Sequence, residues 1–343
     1  MEINISWSTL WRVTAIILLL LFCWYFRQII FIFLGALVLA TSLEGIINYF
    51  EKFVRKRIIA VVLVYITLFA CIFGIIYIIT PLLIDNIADL INDFPALLET
   101  PWIQNWINKY SGLRDLLLNN SIQPFNINNA WASVHTLLSG IGNIISRFTN
   151  TFADILLILL LSFYISIQKN WFKRTLSWLA PTNYKEYFIN LWEKSENKMI
   201  IWLYSQILIS LFVFSTTFVI LYFLGFKCAL LAGIIYGGLE FIPYLGPIFG
   251  AIIIIGLNIN AGPIPLLILT IVLIAVQQIE NAISPYIRGK FLNVNPLVII
   301  LAIALGEKLA GFLGILIAIP LSTIIVDIIK DISQHKFSFK QAN

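Results

Sequence analysis

Long apolar runs alternate with short polar segments along most of the chain. From residue 228 to residue 329 the apolar character is almost continuous, interrupted by glycine, proline and a few polar residues. Upstream of that region, separate apolar runs occupy residues 11–26, 29–47, 58–81, 152–167 and 199–224. A transmembrane helix needs about 20 mostly apolar residues. The pattern therefore predicts an all-α, polytopic helical membrane protein with about eight transmembrane segments.

The amino-acid composition supports a membrane protein and excludes several other classes. Apolar residues make up 60% of the 343 residues, and charged residues only 11%. A soluble globular domain carries about 45–50% apolar and about 25% charged residues. So few charges cannot cover so much apolar surface. We therefore exclude a soluble enzyme, a nucleic-acid-binding domain and a disordered chain; a β-barrel would show alternating segments of about ten residues.

Basic residues cluster between the apolar runs and predict the topology. Cytoplasmic loops of membrane proteins carry an excess of lysine and arginine. Such clusters lie at 52–57, 169–198 and 288–290 and in the C-terminal tail, whereas acidic residues outnumber basic ones in 81–150. We therefore expect both termini in the cytoplasm and residues 81–150 outside it.

The same pattern divides the chain into five consecutive segments. The outside segment has apolar residues at helical spacing with acids on the other face, which predicts amphipathic helices. The segments are 1–80 with transmembrane helices one to three, 81–150 outside, 151–198 with helix four and cytoplasmic amphipathic helices, 199–330 as the transport core, and 331–343 as the cytoplasmic tail.

A first break interrupts the apolar C-terminal region after Glu240. Pro243 and Pro247 remove backbone donors, and Gly246 permits a tight reversal next to Tyr244. The apolar runs on each side are too short for untilted spans. Either one span is broken here and another follows, or the segment is a re-entrant helical hairpin. The topology favours the hairpin, because both of its ends must lie outside.

A second break repeats this pattern. Gly306, Gly311 and Gly314 interrupt the following apolar run, and Pro320 lies further along it. Two broken hairpins that enter from opposite faces are typical of inverted-repeat transporters. Non-helical backbone at membrane depth is tolerated only where it is buried in protein or lines a watery cavity. The two breaks therefore predict a transport path.

A few polar side chains lie close to these breaks and are candidates for that path. A charge in hydrocarbon costs several kcal/mol unless it is paired or hydrated. Structural roles remain open: Glu280 could pair with Arg288, and Gln206 could tie two helices together. The candidates for contact with an ion or substrate are Glu240, Glu280, Gln277, Asn281, Gln206 and Glu307.

The sequence predicts neither a cofactor nor a metal site. Cys23, Cys71 and Cys228 lie in or beside apolar segments without CxxC spacing, and His135 and His335 have no neighbour at metal-ligand spacing. No nucleotide-binding GxxxxGK[ST] loop and no hydrolase motif is present. We therefore expect no enzymatic activity, and transport would need an existing gradient or a coupled ion.

Four motifs stand out in the C-terminal half of the chain. They are Glu-Phe-Ile-Pro-Tyr-Leu-Gly-Pro at 240–247, Gln-Gln-Ile-Glu-Asn at 277–281, Gly-Phe-Leu-Gly at 311–314 and Ala-Ile-Pro-Leu at 318–321. Together they resemble the bacterial autoinducer-2 exporter (AI-2E) family of transporters, also called PerM-like permeases. The resemblance covers essentially the whole chain.

The resemblance implies a multi-pass transporter of the bacterial cytoplasmic membrane. Members are associated with export of the signalling molecule autoinducer-2 or with Na⁺(Li⁺)/H⁺ antiport, and homo-oligomers are implied as well. The chain departs from the family pattern at Ser205, where glycine is frequent, and at Asn295, where histidine is frequent. The second departure removes a group that could titrate near neutral pH.

Three hypotheses follow for the function. The first is a secondary transporter or exporter whose partners are the lipid bilayer and a small polar solute, a monovalent cation or a proton. The second is a passive, channel-like facilitator that uses the same breaks. The third is a membrane scaffold or regulator that does not transport.

Overall fold

A computed structural model describes residues 7–98, 100–102, 104, 153–242, 245–288 and 295–333. Within these ranges the regular structure is helical and contains no strand, which confirms the all-α prediction. The helices are α1 (Trp7–Tyr25), α2 (Arg27–Val54), α3 (Arg57–Leu98), α4 (Ala153–Ile167), α5 (Trp171–Leu179), α6 (Lys185–Phe223), α7 (Ala229–Leu239), α8 (Leu245–Leu257), α9 (Pro263–Arg288) and α10 (Pro296–Ser333).

By length and composition alone, five of the described helices could cross a membrane: α2, α3, α6, α9 and α10, although the backbone of α10 reverses at Gly311. A sixth span is possible if α4 and α5, which meet at an angle of 81°, count as one. The bend lies at Asn170, whose backbone is left-handed with φ 57°. The described residues therefore support a multi-pass membrane protein, but they do not confirm about eight spans.

One compact unit comprises the described parts of residues 1–65, 151–203 and 290–343. Its apolar core is formed by Ile32 and Ala36 of α2, Ile158 of α4 and Leu313 of α10. At a polar edge of this unit, the Arg57 guanidinium donates to both carboxylate oxygens of Glu44, at 2.9 and 3.0 Å. Such a bidentate pair fixes geometry as well as adding energy.

Helix α10 of this unit is itself a hairpin. The backbone leaves helical geometry at Ala310 and at Gly311, where φ is 60°. A Cβ atom on Gly314 would lie 1.8 Å from the carbonyl oxygen of Gly306. In a continuous helix, residues eight apart are separated by about 12 Å. The two arms therefore reverse direction at Gly311 and touch through these two glycines.

The break in α10 is more local than the sequence suggests. Among the predicted break residues of this hairpin, Gly311 forms the reversal, while Gly306 and Gly314 lie in the arms and let them approach. Pro320 lies inside the second arm, where the helix continues. Proline is tolerated in membrane helices because neighbouring groups can satisfy the carbonyl that it frees.

The second compact unit comprises the described parts of residues 66–150 and 204–289. Helices α7 and α8 form a hairpin that packs on α6 and α9, which is the favoured of the two interpretations of the first break. The arms meet closely where they join, because a Cβ atom on Gly246 would lie 1.9 Å from the carbonyl oxygen of Leu239. Buried apolar residues of all four helices form its core: Ile209, Val213, Leu221, Ala229, Ala232, Tyr236, Ile254, Leu269, Leu273 and Val276.

Helix α3 is longer than the apolar run that predicts it. The run ends at Pro81, but the helix continues to Leu98 without interruption. The amphipathic pattern after Pro81 keeps the helical period, so the end of the hydrophobic stretch is not the end of the helix. Most of the predicted outside segment 81–150 lies outside the described residues.

Candidate transport site

Glu240 lies where the first hairpin leaves helix α7. Its backbone N–H still bonds the carbonyl oxygen of Tyr236 at 3.1 Å, so the residue completes the last turn. Its own carbonyl oxygen accepts a hydrogen bond from the Gln206 amide of α6 at 2.5 Å. Carbonyls at a helix end have no partner within the helix. The buried Gln206 amide supplies that partner and ties the break to α6.

The side chain of Glu240 is buried without full compensation. The residue is only 2% exposed. Among the described residues, no hydrogen-bond donor reaches its Oε2 atom. A buried carboxylate without partners is costly in its ionised form. A proton on this oxygen, or a cation beside it, would remove that cost.

A second buried carboxylate, that of Glu280, lies on α9. Glu280 is 5% exposed. Its Oε2 atom accepts a hydrogen bond from the Gln277 amide at 2.9 Å, and its Oε1 atom lies 3.9 Å from Nη2 of Arg288. The pairing of Glu280 with Arg288 that the sequence left open is thus present. At 3.9 Å the pair is longer than a direct hydrogen bond, so the guanidinium acts on the carboxylate mainly through its charge.

Tyr236 connects the two helices that carry these carboxylates. Its hydroxyl lies 3.3 Å from Oε1 of Gln277 and 3.3 Å from the backbone oxygen of Leu273. Sequence reasoning missed this residue, because a tyrosine in an apolar run looks like core packing. The only signal was its position one helical turn before Glu240, on the same face of α7.

Taken together, these side chains form a polar cluster inside the second unit. It contains Glu240, Glu280, Gln277, Tyr236 and Arg288, and we call it the carboxylate cluster. The charges of Glu280 and Arg288 both act on the Glu240 carboxylate. With both glutamates ionised, two negative charges face one guanidinium. The cluster therefore has one negative charge in excess, and a proton or a bound cation would neutralise it.

The other predicted site residues lie outside this cluster. Asn281 follows Glu280 directly but is exposed, since one residue along a helix turns the side chain by about 100°. Glu307 is exposed and belongs to the first compact unit. Pro247 lies buried in the first turn of α8 beside Gly246, where proline is tolerated because the first N–H groups of a helix have no partner within it. Pro243 and Tyr244 lie outside the described residues.

Sequence comparison supports a transporter. The family described as "AI-2E family transporter" matches residues 13–334. Two relatives from Bacillus subtilis are named "Putative transport protein". One, YrrI, is 23% identical over 334 residues, covering 94% of this chain and 88% of the relative. The other, YueF, is 26% identical over 248 residues, covering 71% of this chain and 66% of the relative.

A relative from Alkalihalophilus pseudofirmus with the same kind of name, BpOF4_00890, extends the similarity to nearly the full length. It is 26% identical over 357 aligned positions, which cover 97% of this chain and 89% of the relative. The matched region includes both glycine-containing hairpins and the carboxylate cluster. With its apolar helices and broken hairpins, this chain belongs to the AI-2E family of membrane transporters.

Proposed function

We propose that this protein is a secondary transporter in which the carboxylate cluster binds the coupling ion. The observation that carries the proposal is the buried Oε2 atom of Glu240, which has no hydrogen-bond donor among the described residues. A proton or a monovalent cation at this atom would cancel the excess charge of the cluster. The transported species is a small polar solute, such as an autoinducer-2-like signalling molecule, or a cation in Na⁺(Li⁺)/H⁺ antiport.

The position of the cluster supports coupling to movement. Glu240 lies at the end of a short helix, beside a break in the backbone. Its carbonyl is held by Gln206 of another helix rather than by its own. Discontinuous helices commonly form the ion and substrate sites of secondary transporters. A change in the charge of Glu240 would therefore act where the hairpin is attached.

Charge distribution supports an orientation with both termini in the cytoplasm, and the family with its bacterial relatives supports a location in the cytoplasmic membrane. The basic clusters at 52–57 and 169–198 would then face the cytoplasm. Assembly as a homo-oligomer rests only on the family resemblance, and it is part of the same proposal.

The experiment is ion-coupled flux in proteoliposomes. Na⁺, Li⁺ or proton gradients are imposed, and internal pH, cation content and autoinducer-2 accumulation are followed. Glu240→Gln and Glu280→Gln keep the size of each side chain but remove its charge. We expect each to lower coupled flux at least about tenfold, equivalent to 1.4 kcal/mol. Glu307→Gln is the matched control, because Glu307 is exposed and lies in the other unit.

Two outcomes would contradict the proposal. If both Glu240→Gln and Glu280→Gln kept full coupled flux, the two carboxylates would not bind the coupling ion. Flux that never accumulates a solute against its gradient, and that moves no protons or cations, would indicate a passive facilitator instead.

A further inference from the structure

The second unit contains a cavity that is separate from the carboxylate cluster. Its volume is about 480 Å³, which lies in the range of small-molecule sites. It is lined by α3, by the connection between α6 and α7, and by the connection between α8 and α9. The polar lining residues are Asn86, Asp89, Lys227, Cys228, Asn258 and Asn260.

The cavity and the carboxylate cluster lie at opposite ends of the same helices. Helix α7 begins at the cavity and ends at Glu240, and α8 begins near Gly246 and ends at the cavity. With 11 and 13 residues, these helices are about 16–20 Å long. Helix α9 also runs from the cavity, at Pro265, to Glu280. A solute in the cavity would thus be connected to the cluster through three shared helices.

Helix ends of both polarities meet around the cavity. α6 and α8 end there with their carbonyl groups, and α7 and α9 begin there with their N–H groups. Gly225 and Gly262 turn the backbone at these points, with φ of 79° and 89°. A helix carries about half a positive charge at its N-terminus and half a negative charge at its C-terminus. The wall of the cavity therefore offers partial charges of both signs.

The amide side chains of the wall are already engaged within the protein. Asn86 donates to the carbonyl oxygen of Leu82 at 2.7 Å and accepts from the thiol of Cys228. Asn258 donates to the carbonyl oxygen of Ile254 at 2.9 Å. These bonds fix the shape of the wall. They leave the charged lining side chains as the main groups that can select a ligand.

Those charged side chains have opposite signs. Asp89 and Lys227 both line the cavity, both are exposed, and both act electrostatically on the Cys228 thiol. In the part of the chain that the structure describes, neither forms an ion pair. An anion alone would be attracted by Lys227 but repelled by Asp89, and a cation alone would be attracted by Asp89 but repelled by Lys227. A ligand with both charges would satisfy both residues.

We propose that this cavity binds a small zwitterion, with its carboxylate toward Lys227 and its ammonium group toward Asp89. If the transporter function proposed above holds, a zwitterion is also the class of solute that the protein transports. Binding to the cavity does not depend on that function. Because both protein charges are exposed to water, binding is weak and falls with ionic strength.

The test measures binding to the purified full-length protein in detergent by isothermal titration calorimetry. L-alanine is the zwitterionic probe. Ethylamine lacks its carboxylate, propionate lacks its ammonium group, and 1,2-propanediol is neutral. We expect L-alanine to bind at millimolar concentrations and the other three to bind more weakly. Asp89→Asn and Lys227→Gln should each weaken the affinity for L-alanine about two- to fivefold, the effect expected from the loss of one solvent-accessible ion pair.

Asp85→Asn is the matched control, because Asp85 is exposed on α3 one turn before Asp89 and does not line the cavity. It should leave L-alanine binding unchanged. Thermal unfolding without ligand shows that each variant is folded. The proposal is overturned if L-alanine does not bind, if any of the other three probes binds as tightly, or if the control weakens binding as much as Asp89→Asn.

The two proposals fail in different ways. Binding of L-alanine without any flux would contradict the transporter function but not the site. Coupled flux without binding of L-alanine would contradict the site but not the transporter function.

Discussion

The contact between Gly306 and Gly314 predicts that replacing either glycine by alanine lowers the free energy of unfolding, by an amount that differs between the two positions. Real Cβ atoms essentially never come within 3.0 Å of a non-neighbouring heavy atom. In Gly314→Ala the new Cβ atom would lie 1.8 Å from the Gly306 carbonyl oxygen, and in Gly306→Ala the Cβ atom would lie 2.4 Å from the Gly314 carbonyl oxygen. The neighbour in each case is backbone, so the whole arm must move.

The magnitude follows from these distances. The arms must separate by about 1.2 Å for Gly314→Ala and about 0.6 Å for Gly306→Ala, and overpacking of this kind costs about 1–3 kcal/mol, occasionally more. We expect Gly306→Ala to lower the free energy of unfolding by an amount inside that range, and Gly314→Ala by the upper end or more. Gly256→Ala in α8 is the control, since nothing lies within 4 Å of its Cβ position. Removing a helical glycine there should stabilise the protein by up to about 1 kcal/mol.

The measurement is thermal or denaturant unfolding of the purified protein in detergent, with all three variants under one condition. The expected order of stability is Gly256→Ala, then Gly306→Ala, then Gly314→Ala. Equal stability of Gly314→Ala and Gly256→Ala would refute the hairpin, because a continuous helix has room for a methyl group at both positions.

Three further substitutions test the carboxylate cluster and the hydrogen bond that ties it to α6. Gln206→Leu removes the side-chain donor that the described residues offer to the Glu240 carbonyl, and it should lower the free energy of unfolding by about 1–3 kcal/mol in denaturant titrations. Tyr236→Phe removes only the hydroxyl that bonds Gln277, so we expect a loss of about 0.5–1.5 kcal/mol by the same measurement. Arg288→Gln removes the cation beside Glu280 and should lower the free energy of unfolding by about 2 kcal/mol. Breaking a fully buried pair costs about 3–5 kcal/mol, and the loss here is smaller because the Arg288 side chain is 22% exposed.

Matched controls exist for the first two. Gln278→Leu changes an exposed glutamine of α9, and Tyr222→Phe changes a tyrosine that is 65% exposed. Both should leave the free energy of unfolding within about 0.5 kcal/mol of the parent protein. Arg288→Gln is checked by the double variant with Glu280→Gln, which should recover part of the loss because no unpaired charge then remains at Glu280.

Helix class and membrane insertion could be predicted from the sequence because the bilayer imposes them. Every backbone group in hydrocarbon must be satisfied within its own helix, so apolar runs of sufficient length become helices whatever surrounds them. The breaks were visible for a related reason: glycine and proline act locally on the backbone. The exact point of reversal could not be predicted, because the sequence does not distinguish Gly311, which forms the reversal, from Gly306 and Gly314, which let the arms approach.

The candidate site was predictable only in part. Glu240 and Glu280 attract attention as charges in apolar surroundings, and the cost of burying a charge can be argued from sequence. Tyr236 does not stand out, and Asn281 stands out without lying in the cluster. Which polar side chains meet depends on how α6, α7 and α9 pack and on the side of each helix that faces inward.

The sequence by itself determined that this protein is a helical membrane protein with two breaks in its apolar C-terminal region and a few charges in apolar surroundings. Those properties depend on local backbone chemistry and on transfer from water to lipid. Only the tertiary structure decided that Gln206 holds the Glu240 carbonyl, and that Asp89 and Lys227 line one cavity although 138 positions separate them. Contacts over such distances arise when helices pack, because packing depends on the shapes of all the surfaces that meet.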